Sequence, residues 1–432
     1  MDFSPYLKKF PHPQKPGWSV LFSGRKGSLA TLPDSAVELL AAGKPLADNE
    51  MAALARMGLV VNDPAAERAK TLGLMDEVNR LSPGLSVAVI LTLDCNFNCR
   101  YCYEGTLKAK QAMSETTAEQ AIAFIKARFR PEHKKLVLDF YGGEPLLARD
   151  RIKQLSGPLK EFTEGQGAEF YFTLVTNGSL LTPRAAEELK PFGLRVAKVT
   201  LDGPADLHDR SRPFKNGKGS FEAILRNVRE CCHLLKIGIQ GNYARENFRR
   251  FPELFDRLAE KGLGPEHFLQ ATFAPVMQTK DEFALADFND GCCTMSEPWL
   301  ADAAVWLREE TLKRGYQVPK ITPSTCMVDL DDAFTVHVDG SLYKCMGFIG
   351  HTDYAVGDVW QGMKECGEIY NLEHWRQNEK CRECSYLPLC FGGCRYMEFQ
   401  RHGVIKGVDC QEAFWDSALE RLIQQSVLYP RG

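Results

Sequence analysis

The sequence predicts an α/β fold built on a partial (β/α)6 barrel of the TIM type, and two observations lead to this class. Six apolar, strand-like runs alternate with helix-like runs between residues 80 and 310, which is typical of a parallel sheet with helical crossovers. Each strand-like run ends in glycine or polar residues. Six units are too few for a complete barrel, so we expect an open one with its site at the carboxyl ends of the strands.

The predicted strands and helices of this barrel are identified by their hydrophobic patterns. The strands lie in the segments LSVAVILTL, KLVLDFYGGEP, EFYFTLVTNG, RVAKVTLDG, GIQGNYA and HFLQATFAPV. Helical patterns between them include TTAEQAIAFIKARF, TPRAAEELKPFG and FRRFPELFDRLAEKG. In the first of these helices, Thr116 and Glu119 predict a capping box.

Two smaller regions flank the barrel. Residues 1–75 predict a small separate module, because residues 18–33 form two strand-like runs joined by a Gly-Arg-Lys-Gly turn. Two helix-like runs, a short strand and the polar stretch NDPAAERAK follow. From about Pro319 the strands become short, glycines are frequent and seven cysteines appear by Cys410. We therefore predict a third domain over residues 319–432.

Composition and charge exclude several classes of protein. The 432 residues carry a net charge of −3, which gives no reason to expect a nucleic-acid or anionic membrane partner. The N-terminus lacks an apolar signal core, and no run of about 18 apolar residues occurs, so neither a secretory signal nor a membrane-spanning helix is expected. We therefore expect a cytoplasmic protein.

The fifteen cysteines are many for a reducing compartment, where structural disulfides are rare. Clustered cysteines in such a protein more often hold metal or take part in redox chemistry. Ten of the fifteen have the spacing of metal ligands. For the other five we expect buried positions in which the thiol acts as a small hydrophobic group: Cys231, Cys232, Cys292, Cys293 and Cys366.

The first cysteine motif is C-x3-C-x2-C at Cys95, Cys99 and Cys102, directly after a predicted strand. Thiolates in this number suit zinc or an iron–sulfur cluster. A zinc ribbon needs a second C-x2-C pair nearby, and none follows Cys102. A [4Fe–4S] cluster held by three cysteines leaves one iron free, and that iron can chelate a cofactor through an amine and a carboxylate.

This motif, with the aromatic Tyr101 before its last cysteine, resembles the radical S-adenosylmethionine (SAM) superfamily. The motifs at three later predicted strand ends also match those of the family, in the same order along the chain. Any one of them alone could be only a turn. By this resemblance GGEP meets the SAM amino group and Arg212, in HDRSRP, suits the carboxylate. The SAM-binding residues so implied are Tyr101, Gly142, Gly143, Glu144, Pro145, Thr176, Asn177, Thr200, Asp202 and Arg212.

The resemblance also implies a reaction. The reduced cluster cleaves SAM, and a 5′-deoxyadenosyl radical abstracts hydrogen from the substrate. The protein must then exclude water and hold one C–H bond near the radical. The sequence names no general base and no catalytic side chain.

The seven C-terminal cysteines resemble the SPASM domain of peptide-modifying radical SAM enzymes, although zinc is the alternative that their C-x2-C pair allows. The resemblance implies two auxiliary [4Fe–4S] clusters, hence three in all. One is implied at Cys381, Cys384, Cys390 and Cys410, and the other at Cys326, Cys345 and Cys394. The fourth ligand of the second is open. Cys366, Asp331 and Asp332 are local candidates, and the alternative is an iron free to bind a peptide cysteine.

The substrate implied is a ribosomally made peptide. Sulfatase-maturing relatives carry an extra cysteine shortly after the first of the seven and an acidic residue after the one matching Cys345. Here CMVDLDDAF and Met346 depart from both. We therefore expect a peptide maturase, similar in layout to geopeptide or ranthipeptide maturases, that forms a cysteine thioether.

The N-terminal module and an electron donor complete the expected partners. The module resembles the winged-helix elements that recognise leader peptides, so residues 17–63 are expected to bind the precursor peptide by strand addition, with a plain structural cap as the alternative. A low-potential donor such as ferredoxin or flavodoxin is also expected. Two rival functions stay open: oxidation or carbon–carbon crosslinking of a peptide or sulfatase, and a non-catalytic iron–sulfur or zinc protein that binds peptides or senses oxygen.

Overall fold

The fold is that of a computed structural model, which describes residues 1–286 and 288–430. Its strands are β1 Asp2–Phe3, β2 Leu7–Pro11, β3 Trp18–Ser23, β4 Ser28–Pro33, β5 Val60–Val61, β6 Gly84–Ile90, β7 Lys135–Tyr141, β8 Glu169–Thr176, β9 Leu194–Thr200, β10 Lys236–Tyr243, β11 Phe268–Pro275, β12 Ala333–Val336, β13 Leu342–Tyr343, β14 Gly357–Asp358 and β15 Gly362–Met363. Its helices are α1 Asp34–Ala41, α2 Asp48–Arg56, α3 Pro64–Leu72, α4 Leu74–Arg80, α5 Glu115–Arg128, α6 Arg149–Gly165, α7 Pro183–Leu189, α8 Ala205–Ser211, α9 Phe221–Cys231, α10 Glu253–Glu260, α11 Pro298–Lys313, α12 Glu379–Glu383, α13 Leu387–Cys390, α14 Arg395–His402 and α15 Glu412–Leu428.

The central sheet confirms the predicted α/β class and the partial barrel. Strands β6 to β11 pair in chain order, each parallel to the next, with α5 to α10 in the connections between them. The strand interiors are apolar and buried, as expected for a parallel sheet covered by helices. This arrangement brings the carboxyl ends of the six strands to one side of the molecule.

The sheet continues past the predicted barrel into the cysteine-rich region. Strand β12 pairs in parallel with β6, from Ala333 opposite Ser86 to Val336 opposite Val89, and β13 then pairs antiparallel with β12. The sheet order is therefore β11-β10-β9-β8-β7-β6-β12-β13. The strands become shorter after Pro319, as the sequence predicts. The hydrogen-bonded sheet nevertheless continues from the barrel into this region.

Local capping explains where two helices begin. The α5 helix starts after Ser114, whose side chain accepts a hydrogen bond from the Thr117 amide at 3.0 Å. The predicted capping box at Thr116 and Glu119 is therefore wrong by two positions, because a serine was available earlier in the chain. The polar stretch NDPAAERAK forms α3, and the Asp63 carboxylate caps its first turn.

The N-terminal region has the predicted strand pair and helices, and β2 adds a third strand to give the order β2-β3-β4. This module is not separate, because Val20 and Phe22 of β3 pack against the C-terminal residues Leu389, Leu419 and Ile423. Its buried contacts with the cysteine-rich region make it part of one packed body. No helix among residues 1–286 and 288–430 is long and apolar enough to cross a membrane.

Candidate active site

A cavity of about 300 Å³ lies at the carboxyl ends of the barrel strands. Its walls include most of the residues that the sequence predicts for the cluster and SAM: Cys95, Cys99, Tyr101, Cys102, Gly142, Gly143, Thr176, Asn177, Thr200 and Arg212. Residues Glu144, Pro145 and Asp202 belong to the same strand ends but are buried behind the wall. An apolar side, Ala274 to Met277, completes the cavity.

The cysteine loop after β6 is held by hydrogen bonds to neighbouring loops. The Asp94 carboxylate accepts from the Cys95 amide at 2.9 Å and pairs with Lys215 at 2.7 Å. The Arg100 amide donates to the Ser211 carbonyl at 3.0 Å. Burial raises the pKa of the Cys95 thiol to about 12. Such a thiol stays protonated unless a cation in the cavity stabilises the thiolate.

Two glycines let the strand end of β7 approach this loop closely. A side chain at Gly142, where φ is +118°, would meet the Thr92 carbonyl oxygen at 2.5 Å. One at Gly143 would lie 2.1 Å from the Asp94 carbonyl oxygen. The GGEP turn therefore needs both glycines for contact with the cysteine loop, in addition to any contact with a cofactor.

The side chain of Glu144 serves the protein scaffold. Its carboxylate accepts hydrogen bonds from the Leu146 amide at 3.1 Å, the Thr176 hydroxyl at 2.8 Å and the Asn177 amide at 2.8 Å. It is fully buried and joins the ends of β7 and β8. Glu144 does not line the cavity, and the expectation that it contacts SAM stays a prediction.

Arg212 enters the cavity from the end of α8. Its Nη1 donates to the Tyr101 hydroxyl at 2.7 Å, and that hydroxyl in turn donates to the Asp202 carboxylate. Its Nε is buried without a hydrogen-bond partner among the described residues. The Arg212 carbonyl accepts from the Ser220 hydroxyl at 2.7 Å, which fixes the backbone. A guanidinium held in this way has donors left for an anionic group.

Further cavity residues could not be found from motifs. Asn242, at the end of β10, donates to the Tyr101 hydroxyl at 3.2 Å. Tyr103, Glu104, Lys108 and Tyr141 line another part of the wall. Burial raises the pKa of Glu104 to about 7, and nearby Lys108 opposes that shift. Only the position of Glu104, two residues after the third cysteine, was a signal that could have singled it out.

The second cysteine group encloses a small cavity in the C-terminal region. Cys381, Cys384, Cys390 and Cys410 all line a space of about 90 Å³. Burial, helped by the other cysteines nearby, raises the pKa of the Cys381 thiol to about 11 and that of Cys390 to about 12. The structure therefore brings together the four cysteines that the sequence assigns to one auxiliary cluster.

The third group contains Cys326, Cys345 and Cys394, which are electrostatic neighbours of one another. One local candidate for a fourth ligand, Cys366, is close to this group, since Tyr370 is a neighbour of both Cys345 and Cys366. Cys366 has Lys344 and Asp331 as its charged neighbours. The Asp332 carboxylate pairs with Arg130 and with His133 Nε2, the latter at 3.1 Å.

The donor set fits iron–sulfur clusters better than single metal ions. Within residues 1–286 and 288–430, no group of three or more His, Cys, Asp or Glu side chains is arranged to hold one metal ion. Two of the cysteine groups instead line cavities. Thiolates spread around a cavity suit a cluster, whereas zinc draws its four ligands to one point.

The remaining cysteines only partly follow the expectation of burial. Cys231 and Cys292 are buried as predicted. Cys232, Cys293 and Cys366 are only partly buried, so the prediction is wrong for these three. Cys232 follows the last residue of α9 and Cys293 lies in a loop, where the chain packs on one side only.

Comparisons with known proteins agree with this site. Residues 89–260 match the model of the radical SAM superfamily. Fe-coproporphyrin III synthase from Methanosarcina barkeri is 30% identical over 187 residues, so the chain spans 43% of that relative. Radical SAM cyclopropyl synthase TigE from Paramaledivibacter caminithermalis is 27% identical, over 77% of this chain and 73% of that one. A cysteine-type anaerobic sulfatase-maturating enzyme from Clostridium novyi is 22% identical, over 70% and 85%.

Solved structures share the fold. The anSMEcpe structure with bound AdoMet and Cp18Cys peptide has a TM-score of 0.63 and 20% identity, over 80% of this chain and 99% of that one. Streptococcus suis SuiB bound to precursor peptide SuiA has a TM-score of 0.53 and 13% identity, over 95% and 98%. Because the family match covers the cysteine triplet, the glycine turn and Arg212 of the cavity, residues 89–260 form a radical SAM domain.

Proposed function

We propose that this enzyme modifies a ribosomally made peptide, and that its product is a thioether between a peptide cysteine and a carbon of another residue. The relatives support the coarser part, since their names include a sulfatase-maturating enzyme and a cyclopropyl synthase, and SuiB was solved with its precursor peptide. The observation that carries the proposal is the presence of three separate cysteine groups in one chain, one in the barrel cavity and two in the C-terminal region.

In the cavity, Cys95, Cys99 and Cys102 are proposed to hold a [4Fe–4S] cluster, with SAM beside it. When bound, the cluster and SAM supply the radical that removes hydrogen from the substrate. Arg212 would hold the SAM carboxylate, and the strand end at Gly142 and Gly143 would hold its amino group. The Ala274 to Met277 side excludes water from this space. Glu144 and Asp202, both buried behind the wall, hold the binding residues in place.

The two other cysteine groups are proposed to hold auxiliary [4Fe–4S] clusters. Four cysteines complete the first of these. The group of Cys326, Cys345 and Cys394 supplies three ligands, and the iron left over is proposed to bind the substrate cysteine. Its sulfur would then be held where the carbon radical forms. Aspartate is a hard ligand for this role, and Asp332 is already engaged by Arg130 and His133.

We propose domain limits at residues 1–75, 80–310 and 319–432, although the first packs against the third and β12 of the third joins the barrel sheet. The leader of the peptide is proposed to bind within residues 17–63. There β4 is the last strand of its sheet and pairs only with β3 among the residues described, so its outer edge suits strand addition. We also propose a cytoplasmic location and a low-potential donor such as ferredoxin or flavodoxin.

The experiment compares wild type with a Cys95→Ala, Cys99→Ala, Cys102→Ala variant, both reconstituted anaerobically. With SAM and dithionite, the wild type is expected to release 5′-deoxyadenosine and the variant none. The variant should keep about eight irons per chain, from two four-iron clusters. About twelve irons in the variant would show that these cysteines are not ligands. A wild type that never cleaves SAM would favour the non-catalytic peptide-binding or sensor protein.

The product is tested with any short cysteine-bearing peptide that a search of the adjacent open reading frames identifies. Mass spectrometry after turnover should show a loss of two hydrogens and a cysteine that iodoacetamide no longer alkylates. A Cys→Ser peptide should not be modified. If that peptide is modified equally well, the reaction is instead oxidation or carbon–carbon crosslinking, with the auxiliary clusters as electron relays.

A further inference from the structure

Glu104 is a buried carboxylate in the cavity that no motif explains. It is only 2% exposed, and neither carboxylate oxygen has a hydrogen-bond partner among the described residues. It lines the same cavity as the cysteine triplet and Arg212. A buried carboxylate without hydrogen-bond donors is costly in free energy, because folding removes its hydrogen bonds to water. A ligand that brings donors would replace those hydrogen bonds.

The cavity has two distinct polar regions. In one, Arg212 is surrounded by Tyr101, Asp202 and Cys99. In the other, Glu104 has Lys108 as its charged neighbour and lies close to Tyr103 and Tyr141. The Tyr103 hydroxyl is buried in the same region. If the amino-acid part of SAM binds at Arg212, the second region faces another part of the same molecule.

The hydrogen-bonding capacity of the Glu104 carboxylate favours SAM over the peptide as its partner. SAM offers a pair of adjacent hydroxyl donors on its ribose. A carboxylate with two free oxygens matches such a pair, as acidic residues do in other nucleotide sites.

We propose that Glu104 binds the ribose of SAM, with its two carboxylate oxygens accepting hydrogen bonds from the 2′ and 3′ hydroxyls. The inference rests on the proposed function only in that SAM occupies this cavity. Glu104 is thereby a cofactor-positioning residue that sets the ribose, and with it the 5′ carbon, against the cysteine loop.

The test measures SAM binding by isothermal titration to the full-length, anaerobically reconstituted protein with its clusters oxidised. The ligands are SAM and its 2′,3′-dideoxy analogue. Wild type should bind the analogue about tenfold more weakly than SAM, and Glu104→Gln should weaken SAM about tenfold. The variant should then bind SAM and the analogue almost equally, because one lost contact accounts for both effects.

The control variant is Glu67→Gln, which changes another buried carboxylate with an unpartnered oxygen, in the N-terminal module. It should bind SAM like the wild type. The ribose assignment is overturned if Glu104→Gln binds SAM like the wild type. It is also overturned if the variant still binds the analogue about tenfold more weakly than SAM, because the two changes then act independently. Either result would leave a contact with the peptide as the role of Glu104. If Glu104→Gln fails to assemble its clusters, the wild type alone still tests the proposal. Equal affinity of the wild type for SAM and for the analogue would overturn the ribose assignment. A wild type that binds neither ligand would instead contradict the proposed function.

Discussion

The Glu144 carboxylate accepts a hydrogen bond from the Asn177 amide at 2.8 Å, and so ties the end of β7 to the end of β8. The same carboxylate accepts from the Thr176 hydroxyl at 2.8 Å. Thr176 and Asn177 both line the cavity, whereas Glu144 lies behind them. The carboxylate of the GGEP motif therefore fixes the positions of two neighbouring wall residues.

Glu144→Ala is expected to loosen this junction, because three buried donors lose their acceptor. The local free energy of unfolding should fall by about 3 kcal/mol. Hydrogen exchange followed by mass spectrometry should show faster exchange at residues 174–178, and SAM should bind more weakly. Glu132→Ala, at an exposed position, is the control. Unchanged exchange with lost SAM binding would indicate direct contact between Glu144 and SAM.

Arg212→Ala is expected to weaken SAM binding by about 2–5 kcal/mol, because a buried charged partner of the SAM carboxylate is removed. Arg212→Lys should recover part of the loss, since lysine keeps the charge without the fork of donors. Titration of the oxidised protein with SAM measures both. Arg195→Ala removes an exposed arginine from the same domain and should change nothing. Equal SAM affinity in all variants would show that Arg212 only orders Tyr101.

Cys345→Ala and Cys366→Ala should differ in iron content. Cys345 neighbours Cys326 and Cys394, so its loss should remove one cluster and lower the iron from about twelve to about eight per chain. None of these three cysteines is among the charged neighbours of Cys366, so its variant should keep all three clusters and turn over normally. Iron analysis and electron paramagnetic resonance supply the measurements. Loss of a cluster in Cys366→Ala would make that cysteine the fourth ligand and contradict an iron open to the peptide.

Phe22→Ala should destabilise the whole protein by about 3–5 kcal/mol, because this ring packs in the core shared by β3 and the C-terminal helices. A lower melting temperature in differential scanning fluorimetry would show this. Trp18→Ala, at a partly exposed aromatic of the same strand, should melt like wild type.

For the same reason, deletion of residues 1–63 should impair folding as well as peptide binding. A truncated protein that melts normally and modifies its peptide would show the module to be dispensable.

The fold was largely predictable because its signals are local. Each of the six barrel strands is a short apolar run that ends in a turn motif, and all six occur where the sequence places them. The pairing of β12 with β6 could not be predicted, since it joins residues 333–336 to residues 86–89 across the whole barrel. Short strands such as β1 and β2 lie in a polar, proline-rich segment and carry no pattern of their own.

The site was predictable where ligand chemistry fixes both the residue type and its spacing. Cysteine spacing brought out all ten proposed ligands, and the glycine turn marked a close backbone contact. The direction of a side chain was beyond such reasoning. Glu144 and Glu104 are both buried carboxylates near the cavity, but only their contacts show that Glu144 accepts three hydrogen bonds from the protein and Glu104 accepts none among the described residues.

The ladder between β12 and β6 has a consequence for protein engineering. The cysteine loop of the radical SAM domain follows β6, and Cys345 follows β13 by two residues, so both are anchored in one sheet. The auxiliary region therefore cannot be exchanged between related enzymes as an independent cassette. A chimaera cut near residue 319 would have to rebuild this strand pair, and a working graft should keep β12 and β6 from the same parent.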